Sequence, residues 1–169
     1  MNSFLWWRKT EFVAQIEVHG SAKFLARTRE SLALLQSTPY FAQIQRHIAV
    51  IRQGRRSGMK ADAAKPAFIV GRRTWSHSAL WYAGAIAHDS HHSKLYHDEK
   101  TRAGGNPPLD CWTGQEAERK CLAFQIEVMA ALGADRALLA YLGGLEKNPT
   151  YQGHNRGWRG WLDYWLRWW

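Results

Sequence analysis

Residues 78–97 constrain the fold more than any other stretch of the chain. The first half is small or apolar (Ala79, Leu80, Ala83, Gly84, Ala85, Ile86, Ala87), and the second turns abruptly polar in His88-Asp89-Ser90-His91-His92. Trp81, Ala85, His88, His92 and Leu95 recur at helical spacing, and Ser76 or Ser78 can cap the first turn. An apolar lead-in on every side predicts a helix buried on most of its faces. Gly84, one turn before His88, predicts that another backbone or side chain comes close there. Polar groups at the end of such a helix must find partners, either hydrogen bonds or a metal ion.

Residues i and i+4 of a helix share a face, so His88 and His92 present two imidazoles to one point. Two neutral imidazoles are good ligands for a divalent cation such as zinc, and Asp89 is an acid placed to accept a proton from water beside it. Zinc sites in enzymes take a third protein ligand. Glu118, 26 residues after His92 (118 − 92), lies in the first turns of the next predicted helix. Glu116 is two positions away and faces elsewhere on a helix. An acid near a helix N-terminus is also favoured by the helix dipole alone.

The rest of the chain reads as α+β, mainly helical with a short sheet. Strands are predicted at 11–19, ending at Gly20, and at 67–74, the latter near a sheet edge because of Arg72 and Arg73. Helices are predicted at 21–36 (Phe24, Leu25, Thr28, Leu32, Leu35), about 40–53 (Phe41, Ile44, Ile48, Ile51), about 114–132 and near 134–143. Gly54–Gly58 reads as a turn and 101–110, containing Gly-Gly-Asn-Pro-Pro, as a loop. With 169 residues the simplest organisation is one domain, 1–169, with the metal-site core at about 67–132.

His88-Asp-Ser-His-His92 resembles the His-Glu-x-x-His signature of zincin metallopeptidases, with aspartate in place of the usual glutamate. Ala117-Glu-Arg-Lys-Cys-Leu-Ala-Phe-Gln125 is similar to the downstream glutamate helix of the gluzincin type. The resemblance implies a zincin-like metal helix and glutamate helix, with His88, His92 and Glu118 as Zn2+ ligands and Asp89 as general base. It implies a zinc-dependent hydrolase acting on a peptide or protein. Aspartate is one methylene shorter than glutamate, so its reach to the reacting water depends on closer helix packing. Tyr96, His97, Tyr141 and His154 are candidates for stabilising a developing oxyanion. The His88-Asp89 doublet also resembles HD-domain metal phosphohydrolases, all-helical enzymes in which an upstream histidine (here His47) and a later aspartate (here Asp163) join the doublet.

A third, non-catalytic reading concerns the tail. In 157–169, Trp158, Trp161, Trp165 and Trp168 are spaced as one helical stripe, flanked by Arg156, Arg159 and Arg167. Such a segment either faces a membrane surface or a ligand, or packs on the body against Phe4, Leu5, Trp6 and Trp7. The net charge of +9 attracts anionic partners. The basic residues are spread, however, and the densest groups, Arg52 to Arg56 and Arg72-Arg73, carry no nucleic-acid motif, so nucleic acid is not an expected partner. Cys111 and Cys121 are too few for a disulfide framework, and Cys121 reads as a small core residue. No apolar run reaches the roughly 18 residues of a membrane span, and the N-terminus lacks a secretory pattern, which leaves the cytoplasm as the default compartment.

Overall fold

The computed structural model describes residues 9–147. The Trp-rich segment 157–169, with His154 and Asp163, lies outside them, as do Phe4, Leu5, Trp6 and Trp7. The chain is α+β and mainly helical, as its periodicities predict. Among the described residues, five strands, β1 (Lys9–Val13), β2 (Ile16–Gly20), β3 (Val50–Gly54), β4 (Gly58–Lys60) and β5 (Ala67–Gly71), form one sheet in the order β1-β2-β3-β5-β4. β2, β3 and β5 run parallel, and β1 and β4 close the two edges antiparallel.

Among the described residues, seven helices interleave with these strands. They are α1 (Ala22–Gln36), α2 (Phe41–His47), α3 (Arg72–Trp75), α4 (Ala79–Ala103), α5 (Asp110–Thr113), α6 (Gln115–Ala131) and α7 (Arg136–Lys147). Ile16, Val18, Ile51, Phe68 and Val70 leave the inner face of the sheet and bury themselves among Phe24, Leu32 and Leu35 of α1 and Tyr82 and Ile86 of α4. Glu17, His19, Arg52 and Ile69 alternate onto the opposite face, which is more exposed. All five predicted contact positions of α1 are buried. Ser21 caps that helix by accepting the Phe24 amide at 3.3 Å.

Several boundaries differ from the sequence expectation. Segment 11–19 is two strands rather than one. The chain reverses at Ala14 and Gln15, both in the left-handed region (φ 49° and 65°), as a two-residue hairpin turn requires. Neither residue type advertises that conformation. Gln45 holds the turn from α2 by donating its side-chain amide to the Ala14 carbonyl at 2.7 Å. The helix at 40–53 ends at His47, because Ile48-Ala49-Val50-Ile51 leaves it for the central strand β3. β-branched residues suit a strand between two neighbours, and pairing with β2 and β5 overrides the apparent helical period.

Strand 67–74 stops at Gly71, and β5 is an internal strand. The charges that suggested an edge belong to α3, beyond its end. α4 runs to Ala103 instead of 97, carried on by the Lys94–Asp98 and Glu99–Arg102 pairs, and stops at Gly104, whose φ of 69° ends the helix. α7 likewise extends past the Gly143-Gly144 pair, to Lys147. No helix among the described residues is long and apolar enough to cross a membrane.

Two features position the site. Ser78 caps α4 through the Trp81 amide at 3.0 Å, fixing where its register begins. Gly84 then lets α6 approach, since a Cβ there would lie 2.5 Å from Met129 Sδ and 3.2 Å from Gln125 Nε2. Gly84→Leu is therefore expected to lower unfolding free energy by about 2–3 kcal/mol through overpacking, read as a drop in urea midpoint.

Candidate metal centre

α4 and α6 pack side by side, and their facing residues build a cluster that neither helix makes alone. From α4 come His88 and His92; from α6 come Glu118, Cys121 and Gln125, at steps of three and four on one face. Glu118, Cys121, Gln125 and His92 are buried, and only 1% of Glu118 is exposed. His88 is half-buried.

The three predicted ligands converge. Glu118 Oε1 lies 3.0 Å from His92 Nε2, and Glu118 Oε2 lies 3.3 Å from His88 Nε2. The two Nε2 atoms are 3.1 Å apart. Donor atoms held tetrahedrally by zinc at about 2.0–2.1 Å are themselves separated by about 3.3 Å, so these spacings are close to the edges of such a tetrahedron.

The hydrogen bonds on the far side of each ring decide which nitrogens carry hydrogen. His92 Nδ1 is 2.6 Å from the Trp112 carbonyl oxygen, which can only accept, so Nδ1–H donates. His88 Nδ1 is 3.1 Å from Gln125 Oε1 and donates likewise; the Gln125 amide nitrogen meanwhile faces Met129 Sδ at 3.9 Å. In the neutral rings both Nε2 atoms are then bare lone pairs, aimed at each other and at a carboxylate. Acceptors packed this closely need a cation between them, either a proton or a metal. Outward hydrogen bonds from Nδ1 are also how proteins orient metal-binding histidines.

Protonation in the metal-free cluster follows the same geometry. Burial works against charge on His92, but hydrogen bonds to Cys121 and Glu118 hold its imidazole well above the ordinary range. Burial also opposes the Glu118 charge, yet the adjoining His88 and His92 rings hold its carboxyl well below the usual carboxylate range. The Cys121 thiol is pushed up by burial, against the pull of His92.

Cys121 is the member that sequence reasoning missed. One ligand atom each from His88, His92 and Cys121 lie within 4.8 Å of one another. An isolated cysteine in an apolar helical stretch looks like core, and it is indeed fully buried. The available signal was its position three residues after Glu118, which puts both on the same helix face.

Asp89 follows His88 round the helix and is half-buried. Burial raises its carboxyl to about 6, against the attraction of His88 and His92. His91 turns from the pair and packs on Phe124, with ring centroids 4.9 Å apart, and burial lowers its pKa to about 4. Among the oxyanion candidates, Tyr96 packs on Trp112 and donates its hydroxyl to Asn106 at 3.4 Å. His97 stacks on His47, and Tyr141 is 49% exposed on α7. His47, the upstream histidine of the phosphohydrolase alternative, thus meets α4 nine residues beyond His88 (97 − 88).

Comparison with protein-family models, with curated proteins and with solved structures finds no match to this chain.

Proposed function

We propose that this chain is a zinc-binding protein whose centre is His88, His92 and Glu118, completed by Cys121. The observation that carries the reading is the approach of two tautomer-fixed Nε2 lone pairs and a buried carboxylate to within 3.0–3.3 Å of one another. Imidazole and thiolate donors favour zinc over magnesium or calcium, which take oxygen ligands. Four protein donors make a closed set, of the kind that holds two elements together. Here the elements are α4 and α6.

The experiment is metal analysis of the purified full chain. Wild type is expected to carry about one zinc per chain, and His92→Ala to lose it. Cys121→Ser should keep the metal with weaker affinity. Equal metal content in wild type and His92→Ala removes the centre.

A second reading is a zinc-dependent hydrolase of peptide bonds. It is favoured by the position of Asp89, which follows His88 directly on α4. Zinc in such a site supplies Lewis acidity, polarising a carbonyl and making water a usable nucleophile near neutral pH. This chain's own part would be Asp89 accepting the proton, with Glu118 and the two histidines fixing the cation. Asp89→Asn should then retain zinc and abolish cleavage of a casein or peptide substrate. Unchanged cleavage would remove Asp89 from the role. The phosphohydrolase alternative lacks comparable support, since His47 pairs with His97.

A further inference from the structure

The two densest arginine groups, far apart in the sequence, are neighbours in the fold. β3 and β5 pair in parallel with Gly54 opposite Gly71, so Arg55-Arg56 and Arg72-Arg73 leave adjacent strand ends side by side. All four arginines are exposed.

Their adjacency is built in. Ser57 Oγ accepts the Gly71 amide at 3.0 Å and lies 2.6 Å from the Thr74 hydroxyl, tying the loop after β3 to the start of α3. A Cβ on Gly71 would come within 3.2 Å of Arg56 Cα and Ser57 N, so the two backbones run in close contact and a larger residue would have to push them slightly apart.

Segments 50–61 and 67–88 hold Arg52, Arg55, Arg56, Lys60, Arg72 and Arg73 and no Asp or Glu. No carboxylate of the described residues pairs with Arg55, Arg56 or Arg72. A ligand with several phosphates can use the paired donors of arginines that leave adjacent strand ends. The carboxyl ends of parallel strands are also where open α/β sheets bind ligands.

We propose that the carboxyl edge of β3 and β5 is a nucleic-acid site, where Arg55, Arg56, Arg72 and Arg73 bind backbone phosphates without reading sequence. A lipid surface is the poorer fit. The large apolar side chains most exposed among the described residues are Phe12, Leu109 and Tyr141, and none adjoins these strand ends to enter a bilayer. The proposal is independent of the zinc centre, which lies on the α4–α6 face.

The test is fluorescence anisotropy of the full chain with a labelled single strand and a labelled duplex of mixed sequence. Four phosphate contacts predict binding about 50- to 150-fold weaker at 200 mM than at 50 mM salt. Arg55→Gln/Arg56→Gln/Arg72→Gln/Arg73→Gln should weaken binding at 50 mM by about tenfold or more and flatten that salt dependence. Arg55→Gln/Arg56→Gln alone should remove about half of the slope, which keeps the test decisive if the quadruple variant folds poorly. Lys23→Gln/Lys120→Gln/Arg136→Gln/Lys147→Gln removes the same charge from other exposed positions and should change affinity less than about threefold. Equal losses in the two quadruple variants overturn the proposal. So does a result in which the strand-end variant binds nucleic acid as wild type does and loses only phosphatidylserine vesicles.

Discussion

Saturating zinc is expected to raise the unfolding temperature of the full chain by roughly 8–16 °C. A ligand at about 1,000 times its Kd adds about 4 kcal/mol to the folded state, and a domain of this size shifts by about 2–4 °C per kcal/mol. The increment should depend on pH in a definite direction. In the metal-free protein, hydrogen bonds to Cys121 and Glu118 outweigh burial and raise the His92 imidazole well above 6.5. A raised value contributes its full stability below about pH 6.5 and loses it as pH climbs through the raised value. Glu118, lowered from 4.5, contributes above that value and loses its share as pH falls through its depressed one.

The metal-free cluster is therefore at full strength between about pH 4.5 and 6.5. Zinc must displace the His92 proton to bind there, so its stabilisation should be larger at pH 8 than at pH 6. Differential scanning calorimetry with and without a chelator reads both quantities. No zinc-dependent shift at pH 8 would reduce the cluster to a hydrogen-bonded network.

The second large effect is expected from Glu118→Ala. Without metal, this carboxylate is the buried counter-charge of His92, at 3.0 Å. Removing one partner of such a pair costs about 3–5 kcal/mol when the other stays charged. His92 can escape by losing its proton, so the loss measured by urea unfolding should be near the lower bound at pH 6 and shrink at pH 9. The same variant should hold no zinc. Glu116→Ala is the matched control, two residues earlier and paired with Arg119 at the surface. It should change stability by less than about 0.5 kcal/mol. Similar losses in both variants would mean that the helix terminus, rather than the cluster, accounts for the role of Glu118.

The helices were legible because apolar residues recur with the period of the structure that buries them. Phe24, Leu25, Thr28, Leu32 and Leu35 predict α1, and all five are buried. The hairpin was hidden because Ala14 and Gln15 hold a left-handed turn without glycine or asparagine. β3 was hidden because Ile44, Ile48 and Ile51 fall at helical spacing while the last of them serves a strand whose neighbours are remote in sequence. Around the cluster, His88 and His92 were readable from a local rule, and Glu118 from its place after a loop. Cys121 and Gln125 were not, since their part depends on how α6 is rotated against α4. The arginine edge depended on strand register, which no local pattern encodes.

The two histidines of the centre are oriented by acceptors of different permanence. His88 relies on the side chain of Gln125, which a single codon change can take away. His92 relies on the peptide oxygen of residue 112, which survives whatever side chain replaces the tryptophan so long as α5 keeps its path. Over evolutionary drift, His92 should thus stay aimed in variants where His88 has already lost its guide, and an ancestral or decayed form of the centre would keep its aim at His92 alone.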